Sequence, residues 1–504
     1  MRFRRVGGLT AIVAAMIICI SCGQIYRPVV IPISVVPPNS QGFHQIFSVN
    51  VNVPFNFGSA MQIDVSGDSE IGAAFMGVNP THGAILPNDS RVFIANAGSQ
   101  DNFDADSVMS FFPASDSRIA TGLGTPTVYS LPFGSLPVFI NTAQNNAVFV
   151  ANYGTNSVNE INPATNAIIP LTGIVGSHPI AMAETPNALN LYVADEGDNT
   201  VYNLSPIDLS TQAIIPNVGN TPTWIVSRID GQRVYVVTQG DGNLYTINTT
   251  TNAIMSTQPV GGPGVNFVMY DNGLNRLYVT NPTANAVYVF DATADPPTLL
   301  GTVNVTPPPV STTATITTNC ATYTCSYGAV MPTSVAPLLD GQYFYVASYV
   351  VGNATASGSA TTCPDTNVAA DNCIIPQVTV YDARTFAQTA VVFPLIAPTL
   401  AGLQSFALTP DPFCAPLPQY SPAGARFRMS AAASVDSSHV YASMCDAGSV
   451  ADIDTTTTTI AVNGNAPNSL MTDLVAPFSA GAPQANGQPL PQTPVFLFSG
   501  QLEK

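Results

Sequence analysis

The sequence predicts an all-β protein, a closed ring of four-stranded antiparallel blades, and three observations carry that prediction. First, aromatic anchors recur at a fixed step: Phe149, Tyr192, Tyr235 and Tyr278 are each 43 residues apart. Gly154, Gly197 and Gly240 keep the same step in one turn, and Gly176, Gly219 and Gly262 keep it in another. Second, each unit divides into four short apolar runs cut by Pro, Asn and Gly. In the unit that starts at Pro179 the runs cover 180–184, 191–194, 200–204 and 213–216. Third, no window sustains a 3.6-residue apolar period, which excludes a helical solenoid. Four antiparallel strands in a repeat of the low forties are the signature of a β-propeller.

Composition agrees. Of 504 residues 46% are apolar and only 9% charged, with 37 Gly and 43 Pro. Many short strands punctuated by turns give that balance. Lys504 is the only lysine, and the formal net charge is −17. So acidic a chain lacks the basic footprint that phosphate neutralisation needs, so nucleic acid is not an expected partner. Anionic lipid surfaces are disfavoured for the same reason.

Residues 1–21 read as a leader. Arg2, Arg4 and Arg5 precede an apolar run at 6–20 that is short for a membrane span. The run ends in Cys19-Ile20-Ser21-Cys22-Gly23, which resembles the lipobox of bacterial lipoproteins, with Cys22 as the lipidated residue. An ordinary signal peptide with an incidental cysteine is the alternative. The resemblance implies attachment to a membrane through a lipid anchor. Gly23, where inner-membrane retention uses aspartate, implies the outer membrane or cell surface. Several acyl chains hold a protein firmly where one holds it marginally. Residues 22–43 carry Pro28, Pro32, Pro37 and Pro38 without a period, and read as an extended tether of roughly 3 Å per residue.

The propeller is expected over 44–500. Phe93, Tyr345 and Tyr441 mark three units beyond the four regular ones. An eighth is expected to be split between the ends, with 465–474 as its innermost strand and 47–53, 61–65 and 73–77 as the others. One blade shared by N- and C-terminal strands locks the ring. Eight blades are favoured, with seven as the alternative. Tyr278-Val279-Thr280-Asn281 spells the tetrapeptide that names the YVTN-type β-propeller repeat, and 286–291 is similar to that repeat's next strand. The resemblance covers most of 60–475. It implies an extracytoplasmic surface protein and brings no catalytic motif.

Departures from the period mark insertions at 97–107, 306–331, 351–376 and 412–428. In a four-stranded antiparallel blade, second-to-third loops and blade-to-blade connections emerge on one face. The insertions are therefore expected to decorate a single face, and rigid scaffolds carry binding residues on such loops. Tyr323, Tyr327, Tyr349, Tyr420, Arg426 and Arg428 lie in or directly beside them, and Tyr and Arg anchor interfaces. A protein or glycan partner outside the cell is expected on this face; loops merely pinned against proteolysis are the alternative. Apart from Cys19 and Cys22 the cysteines are Cys320, Cys325, Cys363, Cys373, Cys414 and Cys445. An even count in an exported chain points to disulfides. Spacing pairs Cys320 with Cys325, Cys363 with Cys373, and Cys414 with Cys445. A metal site, the alternative, has no Cys-x-x-Cys pair or neighbouring His to support it.

The sequence holds no nucleophile elbow, phosphate loop or zinc-helix motif. His82 and His178 share a slot beside a strand start and read as packing or turn residues. Asp101, Asp104 and Asp106 share an inserted loop and offer oxygens to Ca²⁺, though not at the Asp-x-Asp-x-Asp-Gly spacing. A solvated acidic loop is the plainer reading, and no cofactor is required. Asp195, Asp291, Asp382 and Asp454 lie at turns, where Asp accepts from backbone N–H groups. The expected function is a binding or scaffold role through the decorated face. The alternative is an extracytoplasmic hydrolase or lactonase-like enzyme with its site at the central channel, and fold alone does not choose between them.

Overall fold

Successive hairpins build eight antiparallel sheets, which close into a ring as an eight-bladed β-propeller. The computed structural model describes residues 45–52, 56–65, 68–99, 102–114, 123–306, 313–317, 322–326, 329–357, 372–392, 412–414, 424–455, 468–483 and 489–500. From the channel outward, blade 1 comprises Thr493–Ser499, Gln45–Asn52, Asn56–Asp64 and Ser69–Val78. Blades 2 to 6 follow in chain order, with innermost strands Pro80–Ile85, Pro137–Thr142, Pro179–Glu184, Pro222–Ser227 and Phe267–Asp271. The innermost strands of blades 7 and 8 are Val330–Pro337 and Ala431–Ala433. Neighbouring innermost strands touch all the way round, so the ring is closed.

The repeated aromatics hold the blades to one another. Phe47, Phe93, Phe149, Tyr192, Tyr235, Tyr278, Tyr345 and Tyr441 each sit in a second strand and are fully buried. Truncating such a side chain to Ala costs about 3–5 kcal/mol. The Tyr192 hydroxyl donates to Asn252 Oδ1 at 2.7 Å, and the Tyr345 hydroxyl donates to Asn468 Oδ1. Both acceptors lie in the third-to-fourth turn of the next blade, with φ of 51° and 54°. Asn tolerates that left-handed conformation better than most residues.

The closing strand differs from the expectation. Thr493–Ser499, not 465–474, is innermost in blade 1, where it pairs antiparallel with Gln45–Asn52 and sets Phe498 opposite Phe47. Ser469–Val475 is instead the outermost strand of blade 8. Burial explains the exchange. An innermost strand is covered on the channel side as well as by neighbouring blades, and all seven residues of Thr493–Ser499 are buried. Leu470 and Leu474 are only half-buried, as an outer strand permits. A hairpin of Phe478–Pro483 with Pro489–Pro491 fills the connection between them.

The described parts of three of the insertions are sheet. Residues 97–107 lengthen the central hairpin of blade 2, with Ser99 opposite Asn102. In blade 7 the second strand runs 15 residues, Tyr343–Ser357. Its far half pairs with Asn372–Asp382 on one side and with Thr322–Ser326 on the other. Thr322–Ser326 in turn pairs with Thr313–Thr317. Thr313–Thr317, Thr322–Ser326 and the far ends of Tyr343–Ser357 and Asn372–Asp382 thus join in one extension of blade 7, on the face where blade-to-blade connections emerge.

Candidate functional site

The innermost strands aim side chains at the axis, and near the decorated face those side chains form an aromatic layer. The His82 ring stacks on Phe139 at 4.1 Å and on Phe496 at 4.3 Å. Trp224 meets Phe139 at 5.4 Å and Phe267 at 5.0 Å. His82 is 2% exposed, and its Nδ1 accepts the Ile140 N–H at 3.3 Å. Burial first, then the Arg426 charge, holds its pKa well below the ordinary imidazole value, so the ring is neutral.

The connection into blade 8 stoppers the channel above this layer. Phe427 packs on Trp224 at 5.4 Å and on Phe267 at 5.7 Å. The Arg426 guanidinium lies 4.4 Å above the Trp224 ring. It donates to the Ile180 carbonyl at 2.9 Å and to the Thr223 carbonyl, on blades 4 and 5 across the channel. The Cys414–Cys445 disulfide ties the connection to the end of the second strand of blade 8. Just after the stopper, Arg428 is 4% exposed, forms two hydrogen bonds to Asp446 at 2.9 and 3.0 Å, and lies 5.0 Å over the Tyr349 ring. A charge this buried needs such a partner.

At the other end the channel opens. Its mouth divides into lobes of about 130 and 250 Å³ that share Phe267, Met269 and Tyr270. The smaller lobe runs past Met182, Ala183 and Trp224, and the larger past Ala336, Ala433 and Leu497. Glu184 and Asp271 are the ionisable carboxylates of the lining. Glu184 Oε2 accepts the Gln144 N–H at 3.2 Å. Asp271 accepts the N–H groups of Gly273 at 2.8 Å and Leu274 at 3.2 Å; burial pushes its pKa up, and those two bonds oppose the rise. Among the described residues that line the mouth there is no His, Cys, Lys or Arg. The arrangement can receive an apolar group.

Apart from the Cys414–Cys445 pair, the expected site residues fall into four groups. Tyr349 and Arg428 are interior, and Arg426 turns into the channel, so these three build the decorated face from within instead of presenting to a partner. Tyr323, Asp104, Cys325 and Cys373 have only strand positions, with Cys373 opposite Gly352. Cys22, Asp101, Cys320, Tyr327, Cys363 and Tyr420 lie outside the described residues. Asp106 is buried and turns to the backbone N–H groups of Gly134, Ser135 and Leu136, so its carboxylate is committed to the connection from blade 2 to blade 3. Nothing in the spacing of 412–428 announces that Arg426 and Phe427 fold inward. The contiguous Arg-Phe-Arg-Met run is the only local sign.

Comparison with protein-family models gives no match, and comparison with curated proteins gives none either. Among solved structures the chain is similar to hydrazine synthase of Kuenenia stuttgartiensis, at 15% identity and a TM-score of 0.44, over 67% of this chain and 86% of that one. It is also similar to a provisionally assigned 6-phosphogluconolactonase of Bacteroides uniformis, at 12% identity and a TM-score of 0.45, over 69% and 95%. A third is a functionally unknown protein of Desulfotomaculum acetoxidans, at 15% identity and a TM-score of 0.37, over 51% and 85%. Likenesses this distant carry no argument about activity.

Proposed function

We propose that this protein is a lipid-anchored, extracytoplasmic propeller of the YVTN-repeat kind that binds a protein or glycan through its decorated face. The supporting observation is the stopper. With Arg426 and Phe427 filling the channel from that side, the blade 7 extension stands beside a closed channel entrance, an arrangement suited to a macromolecule. A catalytic reading would need an acid–base pair at the open mouth, and Asp271 is already engaged in a turn. The test replaces 309–328 and 354–371 with short turns and compares proteins crosslinked to each form on intact cells. Partners held by the full chain should be lost from the shortened one. An unchanged set of partners would overturn the reading.

A further inference from the structure

Beside each anchor, the junction between neighbouring blades repeats a three-part slot. One part lies two residues before the anchor, a second faces the anchor from the third strand, and a third lies in the third-to-fourth turn of the next blade. Beside Tyr192 these are Asn190, Asn203 and Asn252. Asn203 Nδ2 donates to Asn190 Oδ1 at 2.8 Å and to Asn252 Oδ1 at 3.0 Å, so the trio closes on itself. Beside Tyr235, Arg233 pairs with Asp295 at 2.7 Å. Beside Phe93, Arg91 donates to Asn166 Oδ1 at 2.5 Å. Donors meet acceptors in each.

Where blade 8 meets blade 1, the same slots hold His439, Asp452 and Asp68. Asp452 faces Tyr441 across the strands, and Asp68 takes the turn position with φ 46°. One ligand atom from each of the three lies within 4.8 Å of the others. Asp452 is fully buried, and the Tyr441 hydroxyl and the Asp68 carboxyl are the groups that face its oxygens. The imidazole is already oriented. Ser438 Oγ donates to Asp436 Oδ1 at 2.7 Å and therefore accepts from His439 Nδ1, also at 2.7 Å. Nε2 is left facing Asp68 Oδ1 at 3.2 Å. Two ligands on a tetrahedral zinc ion with bonds of about 2 Å stand about 3.3 Å apart.

We infer that His439 Nε2, Asp68 and Asp452 form a site for one divalent transition ion of the zinc class, which clasps a turn of blade 1 to the second and third strands of blade 8. A nitrogen ligand beside two carboxylates favours such an ion over Ca²⁺ or Mg²⁺, which take oxygen. Ser438 and Asp436 are the outer hydrogen-bonded chain that holds a metal-binding imidazole in one tautomer. A fourth position opens to solvent, where the side chains of Asp68 and His439 are 30% and 15% exposed.

The experiment titrates Zn²⁺ into the untagged, metal-stripped full chain by calorimetry and follows unfolding with and without Zn²⁺. Wild type should bind one ion per chain and unfold at higher denaturant when Zn²⁺ is present. Asp452→Asn places an amide where Asn203 stands in blade 4, so it should fold, lose at least about 100-fold in affinity and show no Zn²⁺-dependent shift. His439→Gln should do the same, and Ser438→Ala should weaken binding about 10-fold. No binding by wild type, undiminished binding by Asp452→Asn, or a preference for Ca²⁺ over Zn²⁺ would each overturn the assignment.

Discussion

Phe427→Ala tests whether the channel is stoppered. Phe427 is 2% exposed and packs on Trp224, Phe267 and Phe496. Removing a buried ring from a layer held by eight fixed strands leaves a void that the surroundings fill only partly, so the expected loss is about 3–5 kcal/mol. Trp224 is the only tryptophan of the chain and 5% exposed, so emission reports this one place. Urea unfolding followed by that emission gives the stability, and acrylamide quenching of the native protein gives access to the ring. The variant should unfold earlier and be quenched more strongly. Phe75→Ala is the control: that ring is 72% exposed, and its loss should stay within about 0.5 kcal/mol. A Phe427→Ala protein within about 1 kcal/mol of wild type and no more quenched would refute the stopper.

Three further outcomes follow. Replacing Cys414 and Cys445 together with Ser opens a loop of sequence separation 31, and the chain-entropy argument puts the loss at about 3–4 kcal/mol, measured by denaturant without reductant; a smaller loss than 1 kcal/mol would mean that the connection is held without its cystine. Asp195 gives a pH signature, because burial and then Asp198 push its pKa up to about 8. Below about pH 4 folded and unfolded chains both carry the proton; from there to about pH 8 only the unfolded chain ionises, so wild type loses stability as pH rises. Asp195→Asn still accepts the Gly176 N–H and should gain at least about 1 kcal/mol on wild type between pH 5 and pH 8, whereas parallel pH profiles would sink the argument. Cys22→Ala should abolish both incorporation of labelled palmitate and sedimentation with membranes, and a variant that still does both is not anchored there.

The ring was legible because each unit must bury the same aromatic at the same strand position. Phe149, Tyr192, Tyr235 and Tyr278 announce this by period, and Phe93, Tyr345 and Tyr441 do so by context. The strand that closes it was not. Ser469–Val475 and Thr493–Ser499 are both apolar runs, and only the position of the latter beside the channel distinguishes them. Loop spacing locates the decorated face, but it does not tell a loop that reaches outward from one that folds in. Arg428 and Tyr349 therefore read as contact residues although each is enclosed by the other and by Asp446. The His439, Asp452 and Asp68 cluster was hidden for a different reason. Its members come from the two ends of the chain and meet only after the ring closes, so no local spacing records them.

The pairing of Gln45–Asn52 with Thr493–Ser499 imposes an order of events on biogenesis. Seven sheets can assemble as the chain emerges, but the first strands to arrive must wait for the last. A chain without Thr493–Ser499 would therefore be no shortened but working product, only a wheel that never locks.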